Sequence, residues 1–228
     1  MEAIVLAGGL GTRLRGVVDD VPKPMAPVQG RPFLALVLDQ LVDAGFKTVI
    51  IAAGYRHEVI RSHFGADYRD LALRYSVEHE PLGTGGAIRL ACAQADARDV
   101  FVLNGDTYLE LDFRAMREAH VRAGSQLSMA ICHVPDVARY GALDLCDDSV
   151  QRFLEKGQSG PGWINGGTYI LGPDLRARLR REGAFSFEHD LLEPEVASIR
   201  PLAFRSSGLF IDIGIPEDYA KAQQIFAE

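Results

Sequence analysis

The chain has 228 residues, of which 47% are hydrophobic and 24% charged, with a formal net charge of −7. That length and composition suit one sizeable α/β domain spanning residues 1–228, and the acidic balance excludes a general nucleic-acid binder, which shows a basic face. Cys92, Cys132 and Cys146 are isolated, without C-x-x-C spacing; they read as reduced thiols of a cytoplasmic protein, not as a disulfide or zinc framework. The N-terminus has no basic leader and no apolar run long enough for a membrane span, so no membrane partner is expected.

In chain order, Ala3 to Ala7 is a continuous apolar run that breaks into Gly8-Gly9-Leu10-Gly11, as a buried parallel strand followed by a glycine loop does. Residues 32–45 have helical spacing, with Phe33, Leu34, Val37, Leu38 and Leu41 on one side and Gly45 as the stop. Thr48 to Ala53 predicts a second buried strand, residues 56–64 a helix and residues 72–77 a short strand. A helix follows the Gly83–Gly86 loop through about residue 95, and 99–106 is a strand running into a polar end.

Strands alternating with helices imply a Rossmann-like, mostly parallel sheet flanked by helices on both faces. Beyond it, Leu127–His133, Gly141–Leu145, Val150–Leu154 and Ile164–Leu171 read as strands, some of them antiparallel additions in the second half. A helix at 174–182, a strand ending at Asp212 and a helix from Pro216 finish the chain. Ligands of such sheets lie beyond the carboxyl ends of the strands.

The glycine loop runs Gly8-Gly9-Leu10-Gly11-Thr12-Arg13-Leu14-Arg15. Glycines let backbone N–H groups approach phosphate oxygens, and a following arginine adds a planar donor fork. It is not a P-loop, because no Gly-Lys-Ser/Thr follows, nor a dinucleotide fingerprint, because Leu14 stands where a third glycine is needed and Ala52-Ala53 where an acid is needed. That failure also weakens a dehydrogenase reading. Pro22-Lys23-Pro24-Met25 comes next, and its two prolines hold Lys23 in a stiff segment.

The stretch at 6–14 together with Pro22-Lys23-Pro24-Met25 resembles the sugar-phosphate nucleotidyltransferases (NDP-sugar pyrophosphorylases). Further matches follow in family order: Glu80 to Ala87, Asn104-Gly105-Asp106, Tyr140-Gly141, Glu155-Lys156, Asn165-Gly166-Gly167 and Phe210 to Gly214. Within the family, Val17 to Pro27 and Ser186-Phe187-Glu188 look like the D-glycero-α-D-manno-heptose 1-phosphate guanylyltransferases.

The resemblance implies the nucleotide-diphospho-sugar transferase fold and transfer of a nucleoside monophosphate, GMP from GTP, to the heptose 1-phosphate with release of pyrophosphate. Mannose 1-phosphate guanylyltransferase and N-acetylmuramate 1-phosphate uridylyltransferase share much of the pattern, and a sensor without turnover is the alternative of a different class. The implied partners are GTP or another NTP and a sugar 1-phosphate, with a homodimer left open.

By the same resemblance, the triphosphate and base are held by Leu6, Ala7, Gly8, Gly9, Gly11, Thr12, Arg13, Lys23, Glu80, Gly83, Thr84, Gly85 and Asp106. Gly141, Glu155, Lys156 and Asn165 hold the sugar phosphate. Arg13, Lys23 and Lys156 are the implied catalytic cations, and Asp106 and Asp212 the ligands of Mg²⁺. Both acids end apolar runs, so two parallel strands are expected to deliver them to one sheet edge. The six histidines (57, 63, 79, 120, 133, 189) lack metal spacing and read as surface or core residues, and Phe185 and Phe187 as core packing.

Overall fold

The computed structural model describes residues 1–9, 21–155 and 157–227. Gly11, Thr12, Arg13 and Lys156, four of the implied ligand-binding residues, lie outside the described residues.

The first strand, β1 (Glu2–Leu6), is buried on both faces because it sits in the middle of a ten-stranded sheet. It pairs in parallel with β4 (Thr48–Ala53) and β7 (Val100–Asn104), and β4 pairs in parallel with β6 (Leu71–Val77). This parallel block explains the unbroken apolar runs, since both faces of each strand are covered. Between β1 and β4 lie the small pair β2 (Pro27–Val28) and β3 (Arg31–Pro32) and the helix α1 (Phe33–Asp43). Helix α2 (His57–Phe64) and the edge strand β5 (Asp67–Tyr68) lead into β6.

Alternate residues of the central strands feed two cores. Ala3, Val5, Val49, Ile51 and Leu103 pack on one face with Phe33, Leu34, Leu38 and Leu41 of α1 and with Phe113 and Met116 of α4 (Phe113–Ala123). Ile4, Ile50 and Val102 face the other way, against Ile88 and Ala91 of α3 (Gly83–Cys92), Leu175 of α5 (Pro173–Arg178) and Val196 of α6 (Glu193–Ile199). Period-two alternation in the strands and an apolar stripe on each helix produce this sandwich of layers.

Beside β7 the sheet reverses. Strand β12 (Gly162–Leu171) runs antiparallel to β7 and to β9 (Leu127–Val134), so its beginning lies at the same edge as the end of β7. Strand β13 (Leu202–Ser206) pairs in parallel with β9, and outside it lies the hairpin of β10 (Leu143–Cys146) and β11 (Ser149–Phe153). The mostly parallel sheet with antiparallel additions is therefore as the pattern predicts.

Several expectations change. The helix at 174–182 stops at Arg178. Helix α4 was absent from the pattern reading, although Asp112 caps it by accepting the Ala115 N–H at 2.9 Å. The strand ending at Asp212, β14 (Phe210–Asp212), is not in the main sheet: it pairs antiparallel with β8 (Thr107–Leu109), just past β7. Helix α7 (Pro216–Ile225) follows β14. Among the described residues no helix is long and apolar enough to cross a membrane.

Candidate active site

The carboxyl ends of β1, β4 and β7 meet where Leu6 gives way to Ala7 and Gly8. The Leu6 carbonyl accepts the Gly105 N–H at 2.9 Å, and the Ala7 N–H donates to Ala52 O at 2.7 Å, so the start of the glycine loop is tied to both neighbouring strands. At Gly8 a Cβ would stand 2.5 Å from Glu78 Oε1, and at Gly54 it would stand 2.7 Å from the same atom. With glycine at both positions the Glu78 carboxylate fits between them; a Cβ at either would require that side chain to move. Among the described residues nothing lies within 4 Å of a Cβ built at Gly9.

Glu78 thus stands at the end of β1, two residues before the exposed Glu80 that the family resemblance implies. Its Oε2 accepts the Leu82 N–H at 3.0 Å. Burial raises the Glu78 pKa above the ordinary carboxylate value, and the Leu82 N–H opposes that rise. Nothing local distinguishes Glu78 from Glu80; the tertiary approach of Gly8 and Gly54 does.

The stretch Gly83 to Gly86 is the first turn of α3, not a free loop. The Gly85 N–H donates to Phe185 O at 2.9 Å, the Phe185 N–H donates to Leu82 O at 2.9 Å, and the Phe187 N–H donates to Thr84 Oγ1 at 2.8 Å. A Cβ at Gly83 would meet Phe185 O at 2.5 Å and one at Gly85 the Phe185 ring at 2.1 Å. These glycines admit the 185–187 strap. Phe185 and Phe187 are buried, as expected for core residues.

Asp106 lies on the turn between β7 and β8, and Asp212 ends β14. The β8–β14 pairing puts Asp212 opposite Thr107, and the Ile213 N–H donates to Asp106 O at 3.1 Å. The two carboxylates are thus joined by a short antiparallel pair, not by two parallel strands of the main sheet as expected. Three-residue strands depend on their partner for existence, which hides this pairing from local pattern.

Lys23, in a 3-10 turn at Lys23–Met25, reaches both acids: Nζ is 2.5 Å from Asp106 Oδ2 and 3.7 Å from Asp212 Oδ1. A single ammonium between two carboxylates shows that both present an oxygen to one positive centre. Hard oxygen donors converging in this way suit a divalent ion such as Mg²⁺, which takes a few carboxylates and completes its shell with water and phosphate oxygens. Among the described residues no group of three or more His, Cys, Asp or Glu forms a closed protein cage.

Asp212 is further oriented by the Gly214 N–H at 2.8 Å and by Arg139 Nη2 at 2.9 Å. Arg139 also pairs with the buried Asp218 of α7 and lies 4.7 Å over the Tyr140 ring.

Next to the paired acids opens a cleft of about 660 Å³ whose lining includes Asp212, Gly141, Glu155, Asn165, Glu188 and His189. The implied sugar residues Gly141, Glu155 and Asn165 thus share one cavity, and a metal candidate borders it. Asn165 is aimed by a bulge: it pairs with Ile131 while Tyr169 pairs with Met129, so β12 gains two residues over β9. Asn165 Oδ1 accepts the Gly167 N–H at 3.0 Å, and Nδ2 donates to Tyr169 Oη at 2.6 Å. The Tyr169 hydroxyl donates to Glu188 Oε1 at 2.7 Å. Full burial of Tyr169 and the nearby Glu188 raise its pKa well above the ordinary phenol value.

Of the implied residues, Leu6, Ala7, Gly8 and Gly9 form the mouth of β1, with Lys23, Asp106 and Asp212 beside it. Glu80 is exposed between β6 and α3. Elsewhere, His120 is buried on Ser128 Oγ at 2.7 Å, a packing role.

Residues 2–228 match the model of the family described as Nucleotidyl transferase. The chain belongs to this family. This nucleotidyltransferase is 44% identical to the D-glycero-alpha-D-manno-heptose 1-phosphate guanylyltransferase of Aneurinibacillus thermoaerophilus, over 98% of the chain and 97% of that relative. It is also similar to the crystal structure of HddC from Yersinia pseudotuberculosis, with 42% identity, 99% of each chain covered and a TM-score of 0.89. The structure of HddC complexed with GMP-PN gives 42% identity, the same coverage and a TM-score of 0.87.

Proposed function

We propose that this nucleotidyltransferase works as one catalytic domain that transfers GMP from GTP to D-glycero-α-D-manno-heptose 1-phosphate, releasing pyrophosphate. The observation that carries the reading is that Lys23 joins Asp106, whose neighbour Gly105 donates its N–H to Leu6 O at the end of β1, to Asp212, which lines the cleft of Gly141, Glu155 and Asn165. Relatives of nearly full-length overlap that carry the heptose guanylyltransferase name support the choice of substrates.

In this reading Gly8, Gly9, Gly11, Thr12 and Arg13 cradle the triphosphate. Glu78 accepts hydrogen bonds from the donor edge of guanine, with Glu80, Gly83, Thr84 and Gly85 beside the nucleotide. Gly141, Glu155 and Asn165 bind the sugar, and Lys156 its phosphate. Asp106 and Asp212 would hold a divalent metal, Mg²⁺, which when bound neutralises phosphate charge and fixes phosphate oxygens.

A sugar-phosphate oxygen attacks the α-phosphorus in line. The new P–O bond forms as the bond to the bridging oxygen breaks, and pyrophosphate leaves with that electron pair. A phosphate monoester is already ionised at neutral pH, so no protein base is needed. Catalysis is positioning plus charge stabilisation by Arg13, Lys23 and Lys156. Lys23 spans the acids in the free protein and turns to the phosphates when substrate charge arrives.

The test is pyrophosphate release with Mg²⁺, crossing the common nucleoside triphosphates against heptose, mannose and N-acetylmuramate 1-phosphates. Preference for GTP with the heptose phosphate is expected. Full activity of Asp106→Asn would remove the metal assignment, and nucleotide binding without turnover on any pair would point to a sensor.

A further inference from the structure

One wall of the sugar cleft has no role so far. It is built by a π-helical turn at Glu188–Leu192, closed by the Glu193 N–H donating to Glu188 O, which leads directly into α6. A π-turn inserts one residue into a helix and turns side chains that ordinary α spacing would separate; such turns recur at functional sites. Here it sets Glu188, His189 and Glu193 along the same cavity that holds Asn165 and Glu155.

Each of the three is fastened. Glu188 Oε1 is held by the fully buried Tyr169 hydroxyl, which also links it to Asn165. His189 Nδ1 lies 2.7 Å from Glu193 Oε1. The turn is anchored in front by the Phe187 N–H on Thr84 and by the Ser186 N–H on Asp190 Oδ2 at 2.7 Å. A wall this well tied, with hydrogen-bonding atoms left toward the cleft, is preorganised for a polar ligand.

Charge decides which part of the substrate it meets. Two carboxylates repel a phosphate, so the phosphate end belongs toward Lys23 and the metal candidates. The hydroxyl-bearing part of the sugar lies toward the wall, where carboxylates accept O–H donors and an imidazole can donate or accept. We infer that Glu188, His189 and Glu193 form a hydroxyl-reading subsite for the sugar of the sugar 1-phosphate, with Tyr169 as the residue that positions Glu188. This rests on the proposed transferase reading and names the sugar contacts within it.

The test uses initial rates of pyrophosphate release for the wild type, His189→Ala, Glu193→Gln and the double variant, each with the sugar 1-phosphate varied at saturating GTP and the reverse. His189 and Glu193 are 65% and 39% exposed, so these variants leave the core intact, and thermal unfolding checks it. Loss of one hydrogen bond predicts a KM for the sugar phosphate raised about five- to tenfold in each single variant, with the GTP KM unchanged. The double variant should lose less than the product, because the two side chains share a contact.

An unchanged sugar KM in all three variants, or a GTP KM that rises in parallel, overturns the subsite. If the wild type instead uses a sugar phosphate other than the heptose, the substrate assignment falls, and the same comparison on that sugar still decides the role of the wall.

Discussion

Glu78→Gln tests whether the carboxylate wedged between Gly8 and Gly54 reads the base. Guanine presents N1–H and N2–H donors side by side, a pair that adenine, uracil and cytosine do not offer. Glu78 Oε2 already takes the Leu82 N–H, and Oε1 lies at the glycine mouth. Glutamine fills the same space and keeps the Leu82 bond through its carbonyl oxygen, which turns its NH₂ group toward the guanine donors.

Hydrogen bonds to a charged group contribute about 1.5–3 kcal/mol each. With one oxygen committed to Leu82, a net loss of about 2–3 kcal/mol corresponds to a fall in kcat/KM for GTP of roughly 30- to 150-fold. The assay is initial-rate pyrophosphate release with GTP and UTP, and the weak UTP rate should be preserved. The pH profile adds a second arm. Oε1 accepts from guanine at full strength only when the carboxylate is ionised, and burial has raised its pKa, so the wild-type GTP KM rises as pH falls through a value above the ordinary carboxylate range. In Glu78→Gln that limb is absent. A variant within twofold of the wild type on GTP, or equal losses with every nucleotide, would refute the assignment.

Gly85→Ala places a Cβ against the Phe185 ring; overpacking of about 1–3 kcal/mol outweighs a helix-propensity gain near 1 kcal/mol, so the thermal midpoint falls by a few degrees. Phe185→Leu in the same chain should restore part of the loss. Arg139→Leu removes the guanidinium shared by Asp212 and Asp218 and should destabilise by about 1–3 kcal/mol, read by urea unfolding, while Arg139→Lys loses less. Burial pushes the Cys132 thiol up to about 12 from the ordinary 9, so its contribution is complete below pH 9 and is lost as pH rises toward 12. The loss runs at about 1.4 kcal/mol per pH unit. Cys132→Ala should therefore show a flatter decline in unfolding midpoint between pH 9 and 11 than the wild type.

Strands β1 and β4 were legible because burial on both faces leaves no polar position to blur the run. Helix α1 was legible for the opposite reason, its apolar residues falling on one face before Gly45. Helix α4 buries only Phe113, Met116 and His120, a stripe too thin to stand out, although its Asp112 cap and Gly124 end were readable signals.

Asp106 and Asp212 stand out in the sequence because each ends an apolar run and the family resemblance marks them, but the pairing that joins them does not, because a three-residue strand carries no period. Glu78 and Glu80 are alike in local sequence and differ only in what approaches them. The π-turn at Glu188–Leu192 depends on Tyr169 and the 185–187 strap, contacts that no window along the chain contains.

Strand β13 lies between β9 and β11, although it is made some fifty residues after β11. During synthesis on the ribosome, β1, β4, β6 and β7 can assemble as soon as they emerge, since each finds its neighbour among residues already made. The β10–β11 hairpin, whose ends carry Gly141 and Glu155, has no place on the sheet until residues 202–206 arrive. The parallel block of β1, β4, β6 and β7 can thus take shape early, while the outer edge of β9 stays unpaired until late. A stalled or shortened chain that lacks β13 would present that bare edge as a seam for aggregation.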